Sequence, residues 1–310
     1  MGSSPRYLRV VATTRCNYRC GFCHMEGDPH VAGASPELDA ERLVASLTAA
    51  VSAGVRKIKF LGGEPLLRRD LPTVIAALRR VAPEVDVSVI TAGVVPVDAL
   101  VAAYAAGLTR VNVSIHGWRP EALARNIRVP DAWARRAAFL DAAIAESERR
   151  GVPIKLNYVW SGEAQREDLA AFLDWAAAKP VVVNVLDDLA RDLSWEHLAG
   201  VLHALRGPHA WERTVDDPDS LATLHRGWSD GLHVELKHLR LGDVAPYAAC
   251  GDCAERSSCR EGIVALRLTH RGGIQPCMER PDLAFELADY AQTNGPMLAA
   301  SMLRHYAEAL

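Results

Sequence analysis

Three cysteines crowd one short stretch near the amino terminus, Cys16-Asn17-Tyr18-Arg19-Cys20-Gly21-Phe22-Cys23. Three thiolates on one loop can hold three irons of a cubane [4Fe-4S] cluster, because cysteine thiolates are the usual ligands of such clusters. The fourth iron then has no protein ligand, and an open coordination position is what makes a metal centre catalytic rather than structural. Short cysteine spacings also occur in zinc sites and reactive dithiols, although three cysteines without a nearby fourth ligand make a poor structural zinc site.

The spacing of these cysteines, with an aromatic residue before the last one, resembles the loop of radical S-adenosylmethionine (SAM) enzymes. Further along the chain, Gly62-Gly63-Glu64-Pro65 follows an apolar run, where that family has its Gly-Gly-Glu-Pro strand end. The resemblance implies that Cys16, Cys20 and Cys23 form the catalytic centre, with a [4Fe-4S] cluster whose open iron binds SAM. It also implies an external one-electron reductant of the flavodoxin or ferredoxin type.

The same resemblance assigns residues to the SAM site. Gly62 and Gly63 let the backbone approach a ligand closely, Glu64 can pair with the ammonium group of the methionine part, and Pro65 fixes the turn. The remaining candidates are an aromatic residue near the adenine and two strand-end hydroxyls, namely Phe22, Thr91 and Ser114. Phe22 could equally be a core aromatic residue, and the two hydroxyls could instead cap backbone groups.

The composition restricts the class of protein. The chain has 310 residues, 49% of them hydrophobic, which suits one large domain or two modest ones. A net charge of −3 gives no general attraction to nucleic acid, and no apolar stretch is long enough to span a bilayer. The seven cysteines lie at metal-binding spacings, which favours a reducing compartment over disulfides. We therefore predict a cytoplasmic protein that binds neither nucleic acid nor membranes.

Short β-branched runs alternate with longer alanine-rich segments over the first 190 residues or so, and glycines end three of the predicted helices at Gly54, Gly107 and Gly151. We predict six β/α units, a pattern that specifies a parallel sheet covered by helices. Six units are too few for an eight-unit barrel of about 250 residues. They match the partial (β/α)6 TIM-like barrel of radical SAM enzymes, an α/β fold.

The predicted motifs share one edge of this barrel. The cysteine loop, Gly62–Pro65, Thr91 and Ser114 all follow or end predicted strands, and active sites of such barrels lie at the carboxyl ends of the strands. We expect residues 1–190 to form the radical SAM partial barrel. Residues 191–239 are predicted as a helical connection and residues 240–310 as an auxiliary iron–sulfur cap.

The four remaining cysteines lie in the predicted cap, at Cys250, Cys253, Cys259 and Cys277. Four thiolates can complete an electron-transfer [4Fe-4S] cluster, and they can equally complete a tetrahedral zinc site, so spacing alone does not separate the two. Similarity to the twitch/SPASM-type auxiliary modules of radical SAM enzymes implies a second, auxiliary [4Fe-4S] cluster. A cluster that accepts an electron would permit substrate oxidation or ring closure.

Within the family, the chain resembles the GTP cyclase of molybdenum cofactor biosynthesis over most of its length. The segments that carry this likeness are Tyr7–Arg9, Gly62–Arg68, Arg110–Ser114, Leu266–Thr269 and Pro276-Cys277. In that enzyme basic residues hold the nucleotide, and the matching positions here are Arg9, Lys59, Lys155 and Arg267. Two positions depart from its pattern, since Ile263 replaces a cluster cysteine and Ala265 replaces an arginine.

We therefore predict a radical SAM enzyme, of oxidoreductase or lyase type, for cofactor or natural-product biosynthesis. It would cleave SAM reductively to a 5′-deoxyadenosyl radical and abstract hydrogen from a small, anionic, nucleotide or sugar-like molecule, which the basic residues would bind. Lys59 and Lys155 could instead be salt-bridge partners or solvated. The alternatives are a peptide-modifying (RiPP) maturase, the GTP cyclase itself, and a metal-binding scaffold without catalytic activity. Peptide-modifying relatives often carry two auxiliary clusters, for which this chain has too few cysteines.

Overall fold

The computed structural model describes residues 6–20, 23, 37–127, 129–152, 154–187, 195–208, 210–214, 222–239, 247–256, 259 and 265–310. The strands are β1 (Tyr7–Thr13), β2 (Lys57–Gly62), β3 (Asp86–Thr91), β4 (Arg110–Ile115), β5 (Ile154–Trp160), β6 (Val181–Asp187), β7 (Ala210–Thr214), β8 (Ala222–Ser229), β9 (Leu232–Leu239), β10 (Leu266–Leu268), β11 (Gly273–Gln275) and β12 (Phe285–Glu286). The helices are α1 (Ala40–Ala53), α2 (Leu71–Val81), α3 (Val97–Ala105), α4 (Pro120–Ala124), α5 (Ala132–Arg150), α6 (Arg166–Ala177), α7 (Trp195–Arg206), α8 (Leu287–Asn294) and α9 (Pro296–Ala309).

The first six strands confirm the predicted α/β fold. Strands β1 to β6 lie side by side in chain order and pair in parallel, and at least one helix lies in each connection between them. The described strands form one sheet in the order β12-β11-β10-β1-β2-β3-β4-β5-β6-β9-β8-β7. Because strands extend beyond β1 and β6 without pairing with each other, the barrel part is open.

Local signals in the sequence set the helix boundaries. The carboxylate of Asp39 accepts a hydrogen bond from the backbone N–H of Arg42 at 2.8 Å and caps the start of α1. The same helix ends at Gly54, whose φ of 124° is accessible mainly to glycine. Glycines also follow the ends of α3 and α5, at Gly107 and Gly151, as predicted.

The two faces of the sheet differ in chemistry. Leu8 and Val10 of β1 are fully buried and belong to one hydrophobic core with helix residues such as Leu47 and Ile75. Between them Arg9 points to the opposite face, since successive strand residues alternate. A parallel sheet covered by helices on both faces would read as continuous apolar runs. We call the second face the polar face, and it carries Arg9, Lys59, Asn112, Ser114, Lys155, Asn157, Asn184, Glu235 and Arg267.

The segment predicted as a helical connection, 191–239, contains more sheet than expected. Helix α7 is followed by the antiparallel strands β7, β8 and β9, and β9 pairs in parallel with β6. Burial of Leu232, Val234 and Leu236 gives β9 the alternation of a strand that is covered on one face. This region therefore extends the barrel sheet, and the predicted domain boundaries stay predictions.

The carboxyl-terminal part joins the sheet at its other edge. Strands β10 and β11 form an antiparallel hairpin, as predicted, and β10 pairs in parallel with β1. Helices α8 and α9 return to pack against α1. As a result, Arg267 of β10 lies in register with Arg9 of β1. Among the helices that the structure describes, none is both long and apolar enough to cross a membrane.

Candidate active site

The end of β2 anchors the start of the cysteine loop. The backbone N–H of Gly63 donates to the carbonyl of Thr13 at 2.8 Å, and that of Glu64 donates to the carbonyl of Arg15 at 2.8 Å. A Cβ atom on Gly63 would lie 2.2 Å from the oxygen of Arg15, and Gly62 has a φ of 123°. Among the described residues, the lack of side chains at Gly62 and Gly63 therefore leaves the space that the backbone of the cysteine loop occupies.

The three predicted catalytic cysteines lie on this loop. Cys16 and Cys23 are exposed and Cys20 is half-buried, and the N–H of Cys23 donates to the carbonyl of Cys20 at 3.2 Å. Burial, together with the nearby thiols of Cys23 and Cys16, raises the pKa of Cys20 to about 12. The three thiols therefore interact, and a metal that binds them must displace their protons.

Glu64 is a carboxylic acid buried beside this loop. Only 1% of it is exposed, and its carboxylate accepts hydrogen bonds from the Thr91 hydroxyl at 2.8 Å and the Ala92 N–H at 2.8 Å. A third bond comes from the N–H of Leu66 at 3.2 Å. Burial raises the pKa of Glu64 to about 7 in spite of these donors.

The described part of the chain gives Glu64 no cationic partner within ion-pair distance. A buried carboxyl group that has donors but lacks a counter-charge fits the ammonium group of a ligand. The predicted role of Glu64 in SAM binding is therefore compatible with its surroundings. Thr91 orients this carboxylate, and its hydroxyl also accepts a hydrogen bond from the N–H of Gly93 at 3.0 Å.

The remaining SAM-site candidates have different surroundings. Pro65 is buried and starts a short 3-10 turn, Pro65–Leu67. Ser114 lies on the polar face of β4, in register with Asn157 of β5. Phe22 lies outside the described residues. The structure thus places Gly62, Gly63, Glu64 and Thr91 beside the cysteine loop, and their contacts with SAM stay predictions.

A group of residues that the sequence did not single out holds the other side of the loop. Tyr18 donates its hydroxyl hydrogen to the carbonyl of Ala92 at 3.2 Å and accepts a hydrogen bond from Arg136 at 2.6 Å. The side chain of Asn17 donates to the carbonyl of Val94 at 2.7 Å. From the sequence, only the position of Asn17 next to Cys16 could have indicated these contacts. Arg136 is 118 positions from Tyr18, so no local pattern connects it with the loop.

Three of the four predicted substrate residues form a row across adjacent strands. Arg267, Arg9 and Lys59 are in register on β10, β1 and β2, and neighbouring strands lie about 4.8 Å apart. Arg267 is buried and donates to the carbonyls of Ala265 at 3.3 Å and Pro276 at 3.2 Å. Like charges opposite each other are unfavourable, so this row creates a field suited to an anion.

The fourth predicted substrate residue, Lys155, lies apart from this row. Two strands separate β5 from β2 in the sheet, and the ammonium group of Lys155 forms an ion pair with Glu235 of β9. Arg226 also reaches Glu235, at 3.3 Å. The neighbouring amides of Asn157 and Asn184 are hydrogen-bonded at 3.0 Å. Lys155 therefore has the salt-bridge partner that the sequence left open, within a cluster of mixed charge.

The cap cysteines are all half-buried. The N–H of Cys253 donates to the carbonyl of Cys250 at 3.3 Å, and the guanidinium of Arg280 donates to the nearby carbonyl of Ala249 at 2.9 Å. Within the described ranges, no group of three or more His, Cys, Asp or Glu side chains converges closely enough to hold one metal ion, either in the cap or on the loop of Cys16, Cys20 and Cys23. The assignment of Cys250, Cys253, Cys259 and Cys277 to an auxiliary cluster stays a prediction.

Comparison with known proteins adds independent information. A family model described as the radical SAM superfamily matches residues 10–176. The GTP 3′,8-cyclase of Hydrogenovibrio crunogenus is 28% identical over 282 residues, which cover 89% of this chain and 81% of the cyclase. The GTP 3′,8-cyclase of Sulfurimonas denitrificans is 26% identical over 305 residues, which cover 96% of this chain and 88% of the cyclase.

Solved structures agree on the fold. Streptococcus suis SuiB bound to S-adenosylmethionine matches with a TM-score of 0.58 and 14% identity, over 93% of this chain and 64% of SuiB. The chain thus spans slightly less than two thirds of SuiB. The structure of anSMEcpe with bound AdoMet matches with a TM-score of 0.54 and 12% identity, over 94% of this chain and 82% of that protein. At such identities the likeness concerns the fold alone.

Proposed function

The chain belongs to the radical SAM superfamily, and from this premise we propose that it abstracts hydrogen from an anionic nucleotide, with GTP as the first candidate. It is an enzyme of radical SAM type, and its cofactors are SAM and a [4Fe-4S] cluster. The sequence predicted a wider class of nucleotide or sugar-like anions. The curated GTP 3′,8-cyclase relatives, which align with most of the chain, favour the GTP alternative within that class.

The observation that carries this proposal is the cationic row of Arg267, Arg9 and Lys59. Arg9 and Arg267 are 6% and 1% exposed, so two positively charged side chains are buried on the polar face of the sheet. Guanidinium groups bind phosphate oxygens through paired hydrogen bonds, and an ammonium group adds a point charge. A polyphosphate that lies across β10, β1 and β2 would contact all three side chains.

Each remaining part of the site has a task that this chain's own residues can perform. Cys16, Cys20 and Cys23 would hold the cluster, Glu64 would bind the ammonium group of SAM, and Thr91 would keep the Glu64 carboxylate in place. When bound, the cluster and SAM together supply an electron transfer that breaks a carbon–sulfur bond and yields the 5′-deoxyadenosyl radical.

The departures from the cyclase pattern concern the cap. Ala265 replaces an arginine, and its backbone carbonyl accepts a hydrogen bond from Arg267, while Ile263 lies outside the described residues. We propose a four-cysteine auxiliary [4Fe-4S] cluster here, which would accept an electron or anchor the cap. The substrate would then be held by the polar face rather than by an open iron in the cap. The peptide-modifying alternative has support from fold likeness alone, which carries no information on substrates.

The experiment is anaerobic turnover of the cluster-loaded protein with SAM and dithionite. We expect GTP to increase the formation of 5′-deoxyadenosine and to yield a new nucleotide product, and inorganic triphosphate to compete. Lys59→Met should raise the KM for GTP at least about tenfold, the effect of losing a charged hydrogen bond. Lys57→Met is the matched control, because Lys57 lies two positions earlier on the same strand and both ammonium groups lie over the Tyr7 ring, at 4.5 Å for Lys57 and 5.8 Å for Lys59. If no nucleotide changes SAM cleavage, the proposal is wrong.

A further inference from the structure

Arg136 carries a positive charge in the interior of the protein. It lies on α5 and is 1% exposed. Its guanidinium donates to the carbonyl of Gly117 and to the hydroxyl oxygen of Tyr18, both of which are neutral acceptors. Its Nε atom has no hydrogen-bond partner among the described residues. Buried charges are normally paired, so this arrangement needs an explanation.

The contrast with Arg68 shows what is missing. Arg68 is also buried, at 5% exposure, and its guanidinium forms an ion pair with Asp70 at 2.8 Å. Within the part of the chain that the structure describes, no carboxylate lies within ion-pair distance of Arg136. A buried guanidinium that lacks such a partner favours the presence of another anion nearby.

The groups that face Arg136 identify this anion. From the cysteine loop comes Tyr18, which it contacts directly, and Cys20 packs against the small hydrophobic cluster that contains Tyr18. From the end of β4 comes His116, whose ring packs edge-on against Tyr18 at 5.6 Å. Burial and the charge of Arg136 lower the pKa of His116 to about 4, so the imidazole is neutral and supplies no negative charge. Glu64 reaches Tyr18 only through Ala92 and already accepts three hydrogen bonds of its own, so the remaining anions are those of the cysteine loop.

We propose that Arg136 is a positioning residue and the buried counter-cation of the iron–sulfur cluster on the cysteine loop. Through Tyr18 it fixes the loop against the Ala92 carbonyl. A cluster with its thiolates is negatively charged, and reduction by one electron adds a further negative charge. A cation held in a low-dielectric interior lowers the free energy of that reduced state. This role does not depend on which substrate the enzyme uses.

The test is the midpoint potential of the SAM-responsive cluster, followed by electron paramagnetic resonance in a dithionite-poised titration of the cluster-loaded protein. Arg136→Gln removes the charge and keeps a donor for the Gly117 carbonyl. We expect its ratio of reduced to oxidised cluster at a fixed potential to fall at least about tenfold, which is about 59 mV for a one-electron couple. Arg136→Lys keeps the charge and should change that ratio less than about threefold. Arg79→Gln is the control, because Arg79 binds backbone carbonyls around Gly107 instead.

A second measurement compares the thermal stability of the cluster-free proteins with that of samples loaded to the same iron content per chain. In the cluster-free protein the charge of Arg136 is uncompensated, so Arg136→Gln should unfold at the same temperature as the wild type or higher. Cluster loading should then raise the Tm of the wild type more than that of Arg136→Gln. A potential in Arg136→Gln equal to that of the wild type would overturn the proposal. An equal gain in Tm on loading would do the same.

Discussion

Replacing Glu64 with glutamine tests whether the buried carboxylate of Glu64 lacks a counter-charge in the SAM-free protein. Burial raises the pKa of Glu64 from an ordinary value of 4.5 to about 7. Because the folded-state pKa lies above the unfolded-state value, this group contributes stability that is fully present below about pH 4.5. That contribution is lost as the pH rises through about 7. Glutamine does not titrate, so Glu64→Gln should lack this loss.

The size of the effect follows from the two pKa values. The difference between 4.5 and about 7 corresponds to roughly 3 kcal/mol of unfolding free energy. Most of this, roughly 2–3 kcal/mol, should develop between about pH 5 and about pH 8. The stability of the SAM-free wild type should therefore fall by that amount relative to Glu64→Gln over this range. All other titrating groups are common to both proteins and cancel in the difference.

The assay is urea unfolding of both SAM-free proteins at several pH values, with the difference in unfolding free energy plotted against pH. Glu37→Gln is the matched control. Burial opposes ionisation of Glu37, but hydrogen bonds from Thr13 and Thr14 outweigh it and keep its pKa below the ordinary value. Its contribution should therefore disappear at low pH, with the opposite slope. A difference between wild type and Glu64→Gln that does not change with pH would refute the reasoning.

Three further predictions follow, two for the candidate active site and one for Asp168 of α6. The SAM affinity of the wild type should rise about tenfold between about pH 6 and about pH 8 as Glu64 ionises, and calorimetry of Glu64→Gln should show no such rise. Gly63→Ala should lower the iron content per chain, because the new methyl group would collide with the carbonyl of Arg15. Gly200→Ala on α7 is its control, because a Cβ atom there meets nothing within 4 Å and the residue has no positive φ. Asp168→Asn should cost about 1–3 kcal/mol in urea unfolding, since Asp168 accepts bonds from Trp118 and Arg119; unchanged stability would contradict this.

Local patterns in the sequence were sufficient for most of the fold. The alternation of strands and helices predicted the parallel order of β1 to β6, and glycines predicted the ends of α1, α3 and α5. The Cβ collision at Gly63 explains why Gly-Gly-Glu-Pro was informative, because the pattern reflects a close backbone contact. Strands β7 and β8 were missed, since their alternation is weak and they form an antiparallel extension of the sheet.

The supporting contacts of the site could not be predicted, because they join residues far apart in the chain. Arg136 contacts Tyr18 across 118 positions, and Lys155 contacts Glu235 across 80. Neither partner has a local pattern that distinguishes it from a surface charge. For Lys155 the sequence left a substrate role and a salt bridge open, and only the pairing of β6 with β9 brings Glu235 near it.

The polar face divides into two regions, and this division bears on the substrate. Strands β10, β1 and β2 carry the cations Arg267, Arg9 and Lys59, whereas β5, β6 and β9 carry Asn157, Asn184 and Glu235 in one register. A carboxylate with about four acceptor sites keeps capacity beyond its two cationic partners, and amides both donate and accept. A ligand that spans both regions needs an anionic end and a neutral end rich in hydrogen-bonding groups. A nucleotide meets both requirements through its phosphates and its base, and a phosphorylated sugar meets them through its phosphate and hydroxyls, so the two regions fit the proposed class of anionic substrate and exclude neither member of it.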